Sequence, residues 1–111
     1  MELESYLRRQ IEFSEQTFGP GRRTAMVLDH LRKELREVEQ NPDDIEEWVD
    51  VAMLALDGAW RHGHTPEQIC QALAAKLAKN KARTWPDWRT QPSDSAIEHV
   101  RDCGRKTIKA Q

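Results

Sequence analysis

Only two cysteines, Cys70 and Cys103, occur in 111 residues, and they stand far apart. Neither a disulfide framework nor a zinc-finger spacing exists, and a reducing cytoplasm is the expected compartment. No apolar run approaches the ~20 residues of a membrane span. The opening MELESYLRRQ carries no signal-peptide pattern. A dominant charge is missing too: 17 basic against 19 acidic residues leave a net charge of −2, no electrostatic ground for nucleic-acid binding. There is no β-type alternation, no internal repeat, no glycine-rich phosphate loop, and no Ser/His/Asp or Cys/His nucleophile set. Hydrophobic residues make up 38% and charged ones 32%, which fits one soluble domain but is low in apolar surface for an independent monomer.

What is present is helical. Residues 3–17 read as a first helix with Leu3, Leu7, Ile11 and Phe18 on its apolar side, ended by Gly19-Pro20-Gly21. Thr24 is placed to cap a second helix running to about Gln40, with Val27, Leu28, Leu31, Leu35 and Val38 as its stripe. Asn41-Pro42-Asp43 breaks the chain, and Asp43 or Asp44 caps a third helix that closes at His62-Gly63-His64. Thr65-Pro66-Glu67 opens a fourth, threonine at the cap and proline at the first position, lasting to about Ala82. Trp85-Pro86-Asp87-Trp88 is a rigid turn. These readings give an all-α fold of four main helices, a domain over residues 1–88, and a polar, weakly ordered tail over 89–111 with a short helix from Asp94 to Cys103.

The third helix, DDIEEWVDVAMLALDGAWR from Asp43 to Arg61, is the element around which the chain is organised. Between Ile45 and Trp60 its only charged residues are Glu46, Glu47, Asp50 and Asp57, all within an arc of roughly 100°. Ile45, Val49, Ala52, Met53, Leu56 and Trp60 form the opposite stripe. A helix apolar on nearly every side is expected to be buried. Buried carboxylates without partners cost several kcal/mol each, so these should be paired or should hold a cation.

On the second helix Glu34 lies at the edge of the apolar stripe and Glu37 roughly 60° further out, with His30 between them. Two helices joined by so short a turn must be antiparallel neighbours. Glu34 and Glu37 are therefore expected to face Glu47 and Asp50 across a groove. Four oxygen ligands suit Mg²⁺, or Mn²⁺, rather than zinc. The fourth helix supplies the opposite charge: its core face, Ile69, Ala72 and Leu73, continues into Lys76, Lys79, Asn80 and Arg83 at helical spacing. An acidic cage beside a basic row is what phosphoryl chemistry needs.

Glu34-x-x-Glu37 followed by Glu47-x-x-Asp50 resembles the EExxE…ExxD signature of the MazG-like, all-α NTP pyrophosphohydrolases. Thr17-Phe18-Gly19-Pro20, His30-Leu31-x-Lys33-Glu34, Glu47-Trp48-x-Asp50, Leu56-Asp57-Gly58-Ala59-x-Arg61-x-Gly63 and Lys76-x-x-x-Asn80-x-x-Arg83-x-Trp85-Pro86 look like the small, often phage-borne dATP/dGTP diphosphohydrolase branch. The resemblance spans about residues 10–88. It implies a four-helix MazG-like bundle assembling as a dimer or tetramer, and hydrolysis of a (d)NTP to its monophosphate and pyrophosphate. Glu34, Glu37, Glu47 and Asp50 would be the catalytic and metal residues, with water attacking the α-phosphorus. Lys76, Lys79, Asn80, Arg83, Trp85 and His30 would be the substrate-binding set. Two departures stand out: Lys33 stands where the signature has its first glutamate, so that one acid is missing or is supplied by Asp57 or Glu46, and the spacer from Val38 to Glu46 is short.

His30 is also read as an edge histidine contacting Glu34, and His62 and His64 as partners of a helix dipole. Trp48 and Trp60 are read as core or interface anchors; Trp85 and Trp88 either pack the turn or stack on a base. The rival readings are a helical interaction protein without turnover, and the same chemistry on a pyrimidine nucleotide or phosphoribosyl-ATP.

Overall fold

A computed structural model describes residues 1–101 of the chain. Its described residues form α1 (Leu3–Phe18), α2 (Thr24–Gln40), α3 (Ile45–Arg61) and α4 (Pro66–Ala82), with a 3-10 turn at Trp88–Thr90 and no strand. No helix among them is long and apolar enough to cross a membrane. The all-α fold of four helices is the one expected.

Local chemistry sets the helix ends. Asp44 caps α3, its carboxylate accepting from Glu46 N at 3.0 Å. Thr65 opens α4 through a reciprocal pair: its Oγ1 accepts from Gln68 N at 3.1 Å while its own N–H donates to Gln68 Oε1 at 3.0 Å. Thr24 departs from expectation. It is already helical, and the residue before it, Arg23, sits in the left-handed region with φ 48° and offers no side-chain cap. Thr24 Oγ1 is engaged elsewhere, 2.8 Å from His62 Nε2. The other ring nitrogen of His62, Nδ1, donates to Gly58 O at 2.7 Å, so this histidine does serve the carboxyl end of α3. Gly19 ends α1 at φ 89°, a conformation that a side chain would strain.

The connection at 41–44 folds α2 back on α3, and α1 packs against α3 as well. The buried apolar residues are few: Leu7, Val27, Val38 and Ile69. Beside them are buried polar residues, Gln10, Ser14, Glu34, Asp57 and Arg61. The expectation that α3 is buried on nearly every side fails for the single chain. Ile45 is 74% exposed, Trp48 55% and Val49 44%, whereas the residues of α3 that are buried are Asp57 and Arg61. The reason is that the acid-bearing side of α3 is the one turned toward α1 and α2, where polar partners meet it. Its apolar stripe is outward at Ile45, Val49 and Ala52, while Met53, Leu56 and Trp60 are half-buried.

The chain divides into two compact units, Met1–Ala72 and Leu73–Gln111, the second described to residue 101. Within that unit Val100 N donates to Thr84 O at 2.6 Å and His99 packs edge-on against Trp85 at 5.8 Å. Residues 94–101 are irregular, so the helix expected from Asp94 is absent from the described part of the tail. Its end at Cys103, and the rest of the tail, lie outside the described residues.

Candidate functional site

Glu34 and Glu37 stand one turn apart on α2, and Glu47 and Asp50 one turn apart on α3. The helical hairpin brings the two pairs together. One carboxylate oxygen each from Glu34, Glu37 and Glu47 lie within 4.8 Å of one another. Asp50 adjoins them. Burial, and then the charges of Glu34 and Glu37, hold its carboxyl above the usual aspartate range. Glu47 is raised in the same way, by burial first and then by Glu37, Asp44 and Asp50. Glu37 goes the other way, because Lys33 Nζ donates to it at 2.9 Å. The same ammonium reaches Glu34 Oε2 at 3.3 Å and is held protonated beyond the usual lysine range by the two carboxylates. His30 Nε2 lies 3.4 Å from Glu34 Oε2.

These donors fit a hard divalent cation. All are carboxylate oxygens, and Glu34, only 6% exposed, keeps Oε1 buried without a hydrogen-bond partner. The two candidates for a further acid differ in their surroundings. Glu46 is exposed in the first turn of α3. Asp57 is fully engaged: Oδ1 accepts from Gln10 Nε2 at 2.8 Å and Trp60 Nε1 at 2.9 Å, and Oδ2 accepts from Ser14 Oγ at 2.9 Å.

Asp57 is the centre of a second polar cluster that sequence reasoning missed. Ser14 Oγ also accepts from Arg61 Nη2 at 2.9 Å, and Arg61 Nη1 donates to Gly19 O at 3.0 Å and to Gly21 O at 2.9 Å. The guanidinium lies over the Trp60 ring, 4.5 Å from its centroid. A signal for this cluster was present: Gln10 and Ser14 follow Leu7 at i+3 and i+7, so they continue its buried stripe. Polar residues in such a stripe imply polar partners on a facing helix.

Between the two clusters lies a cleft of about 220 Å³. Phe13 and Phe18 of α1 and Met53 and Leu54 of α3 give it apolar walls. His30, Glu34 and Asp50 connect it to the acid cluster, while Gln10, Ser14 and Asp57 lie on the other side. Phe13 and Phe18 meet edge to face at 6.4 Å.

The remaining expected site residues, Lys76, Lys79, Asn80, Arg83 and Trp85, belong to the second unit. Lys76 and Lys79 are exposed. Arg83 Nη1 donates to Asn80 Oδ1 at 2.8 Å, and Trp85 Nε1 to Asn80 O at 2.7 Å, so Asn80 ties the end of α4 to the turn after it. Burial first, and then Arg83 and Arg101, push the pKa of His99 below the usual histidine range.

With this geometry in view, three comparisons bear on the chain. Residues 6–103 match the model of the dATP/dGTP pyrophosphohydrolase family. The Eaa protein of Salmonella phage P22 is 38% identical over 86 residues, which are 78% of this chain but 27% of that protein. The chain thus corresponds to about a quarter of that relative. A solved structure, the cyanophage S-2L MazG-like pyrophosphohydrolase bound to dGDP and three catalytic Mn²⁺ ions per active site, superposes with a TM-score of 0.69 at 29% identity. The match covers 91% of this chain and 100% of that one.

Proposed function

The chain belongs to the dATP/dGTP pyrophosphohydrolase family, and on that premise we propose that it hydrolyses a purine deoxynucleoside triphosphate to the monophosphate and pyrophosphate. The observation that carries the reading is the convergence of Glu34, Glu37 and Glu47 around a buried, unpartnered carboxylate oxygen, with Asp50 adjoining. These four residues would hold Mg²⁺ or Mn²⁺; the Mn²⁺-bound state of the S-2L enzyme supports a divalent ion. Such an ion supplies Lewis-acid charge on phosphate oxygens and lowers the pKa of water.

The chain's own groups do the rest. Glu34 and Asp50 both join the acid cluster to the cleft, and Glu34, whose Oε1 is buried without a partner, is the carboxylate to take up a proton from the attacking water. Lys33, on Glu34 and Glu37, offsets part of the local negative charge where a polyphosphate must approach. His30 lines the cleft beside Glu34 and contacts the nucleotide there. Lys76, Lys79, Asn80 and Arg83 carry cationic and amide donors for the triphosphate, and Trp85 an aromatic face for the nucleotide.

The active form is a homodimer or homotetramer. Ile45, Trp48 and Val49 on α3, with Leu28 at 44% and Leu35 at 51% exposure on α2, leave more apolar surface wet than a monomer normally carries. The test of the reaction is turnover of a panel of dNTPs and NTPs in ¹⁸O water. The label should appear in the monophosphate; label in pyrophosphate, or release of orthophosphate from the triphosphate, would contradict the proposal.

A further inference from the structure

The acid cluster accounts for phosphate, and the cleft beside it has a chemistry of its own. At about 220 Å³ it is smaller than the ~300–1,000 Å³ of pockets that enclose a whole drug-sized ligand, so it suits one moiety of a nucleotide. Its walls include two aromatic rings, Phe13 and Phe18, together with Met53 and Leu54, apolar surfaces for a heterocycle.

Gln10 adds the polar element. It is 5% exposed, and its amide nitrogen donates to Met53 O and to Asp57 Oδ1, both at 2.8 Å. Those two acceptors fix the sense of the amide, because reversing it would set Oε1 against a carbonyl and a carboxylate. Oε1 is left buried with no partner. A buried acceptor in that state is costly unless something donates to it. Ser14 Oγ and Trp60 Nε1, the other side-chain donors on Asp57, are committed to that carboxylate.

We propose that Gln10 is the base-reading residue of the site, its Oε1 accepting a hydrogen bond from the exocyclic amine of a purine held in the cleft. This rests on the proposed nucleotide chemistry. Asp57 acts through Gln10 as a positioning residue: by taking an amide hydrogen it keeps the oxygen, and not the nitrogen, free for the base. An acceptor at this point favours purines carrying an exocyclic amine and disfavours the same ring without one.

Calorimetry in Mn²⁺ tests this on the full chain with two pairs of monophosphates: dAMP against 2′-deoxyribosylpurine monophosphate, and dGMP against dIMP. The wild type should bind the amine-bearing member of at least one pair about tenfold more tightly. Gln10→Met should bring that pair to within about twofold. Gln10→Asn, which keeps an amide for Asp57 but withdraws the oxygen, should do the same. Equal binding within both pairs by the wild type, no binding of any of the four, or a preference that survives in either variant would overturn the inference. Pyrophosphate release from the dNTP panel is measured in parallel. Binding without turnover would refute the proposed reaction and leave the reading of Gln10 standing, while turnover without base discrimination would do the reverse.

Discussion

Two carboxylate environments occupy α3 two turns apart, and they differ in what surrounds the charge. Asp57 accepts from three side chains, with a guanidinium one hydroxyl away. Glu47 and Asp50 have mainly other carboxylates for neighbours, and both are pushed toward protonation. The first arrangement is complete in the chain itself. The second is repulsive unless a cation enters. A cluster of acids is therefore a sign of function only when its donors are missing; when they are present, it holds helices together.

Three experiments break or sharpen this contrast. The largest effect is expected at the complete site. Asp57→Ala removes the acceptor of Ser14 Oγ, of the part-buried Trp60 Nε1 and of one of the two Gln10 amide hydrogens, and should cost about 3 kcal/mol or more in urea unfolding. A loss below about 1 kcal/mol would mean that Asp57 is dispensable to the fold. At the incomplete site the pattern should invert. Glu47→Gln and Asp50→Asn should lower turnover about a hundredfold or more while leaving the melting temperature in EDTA unchanged or higher, since each removes a like charge. Variants that stay active, or that melt in EDTA as early as Asp57→Ala, would erase the distinction.

The smallest effect is on pH dependence. Glu47 and Asp50 have folded pKa values above their unfolded ones, so their ionisation opposes folding in metal-free protein. Their contribution improves as pH falls from neutrality through the raised folded values. Glu37 has the opposite sign: its stabilisation by Lys33 is present above the unfolded value and disappears as pH drops through the depressed folded one. Melting temperature in EDTA should thus rise slightly on mild acidification before it falls. Glu47→Gln should flatten the rise, and a wild-type curve that only falls from pH 7 would contradict the assignment.

The acid pairs were legible in the sequence because they obey local rules. A spacing of three on each helix and a four-residue connection leave little choice about what faces what, and Asp44 and Thr65 announce helix starts by their own side chains. What was not legible depends on contacts between distant residues. Gln10 and Ser14 meet Asp57 across 47 and 43 positions, and nothing local to α1 specifies that partner. Thr24 had the right composition for a cap but found His62 instead. The apolar surround of α3 suggested burial, yet composition does not say whether the cover comes from the same chain. The structure leaves Trp48 outward, with its indole nitrogen donating to Pro42 O at 2.9 Å.

Because Asp50 and Asp57 share one unbroken helix, the distance between the acid cluster and the far end of the cleft is set by the rise of the backbone. Seven residues at 1.5 Å each make about 10.5 Å. Arg61 fastens the carbonyls of Gly19 and Gly21 to the same helix, so the chain just beyond Phe18 is anchored to that scale as well. α3 is thus a ruler. A molecule with one end at Gln10 and its reacting atom at Glu34 and Asp50 must bridge a span that this helix holds fixed.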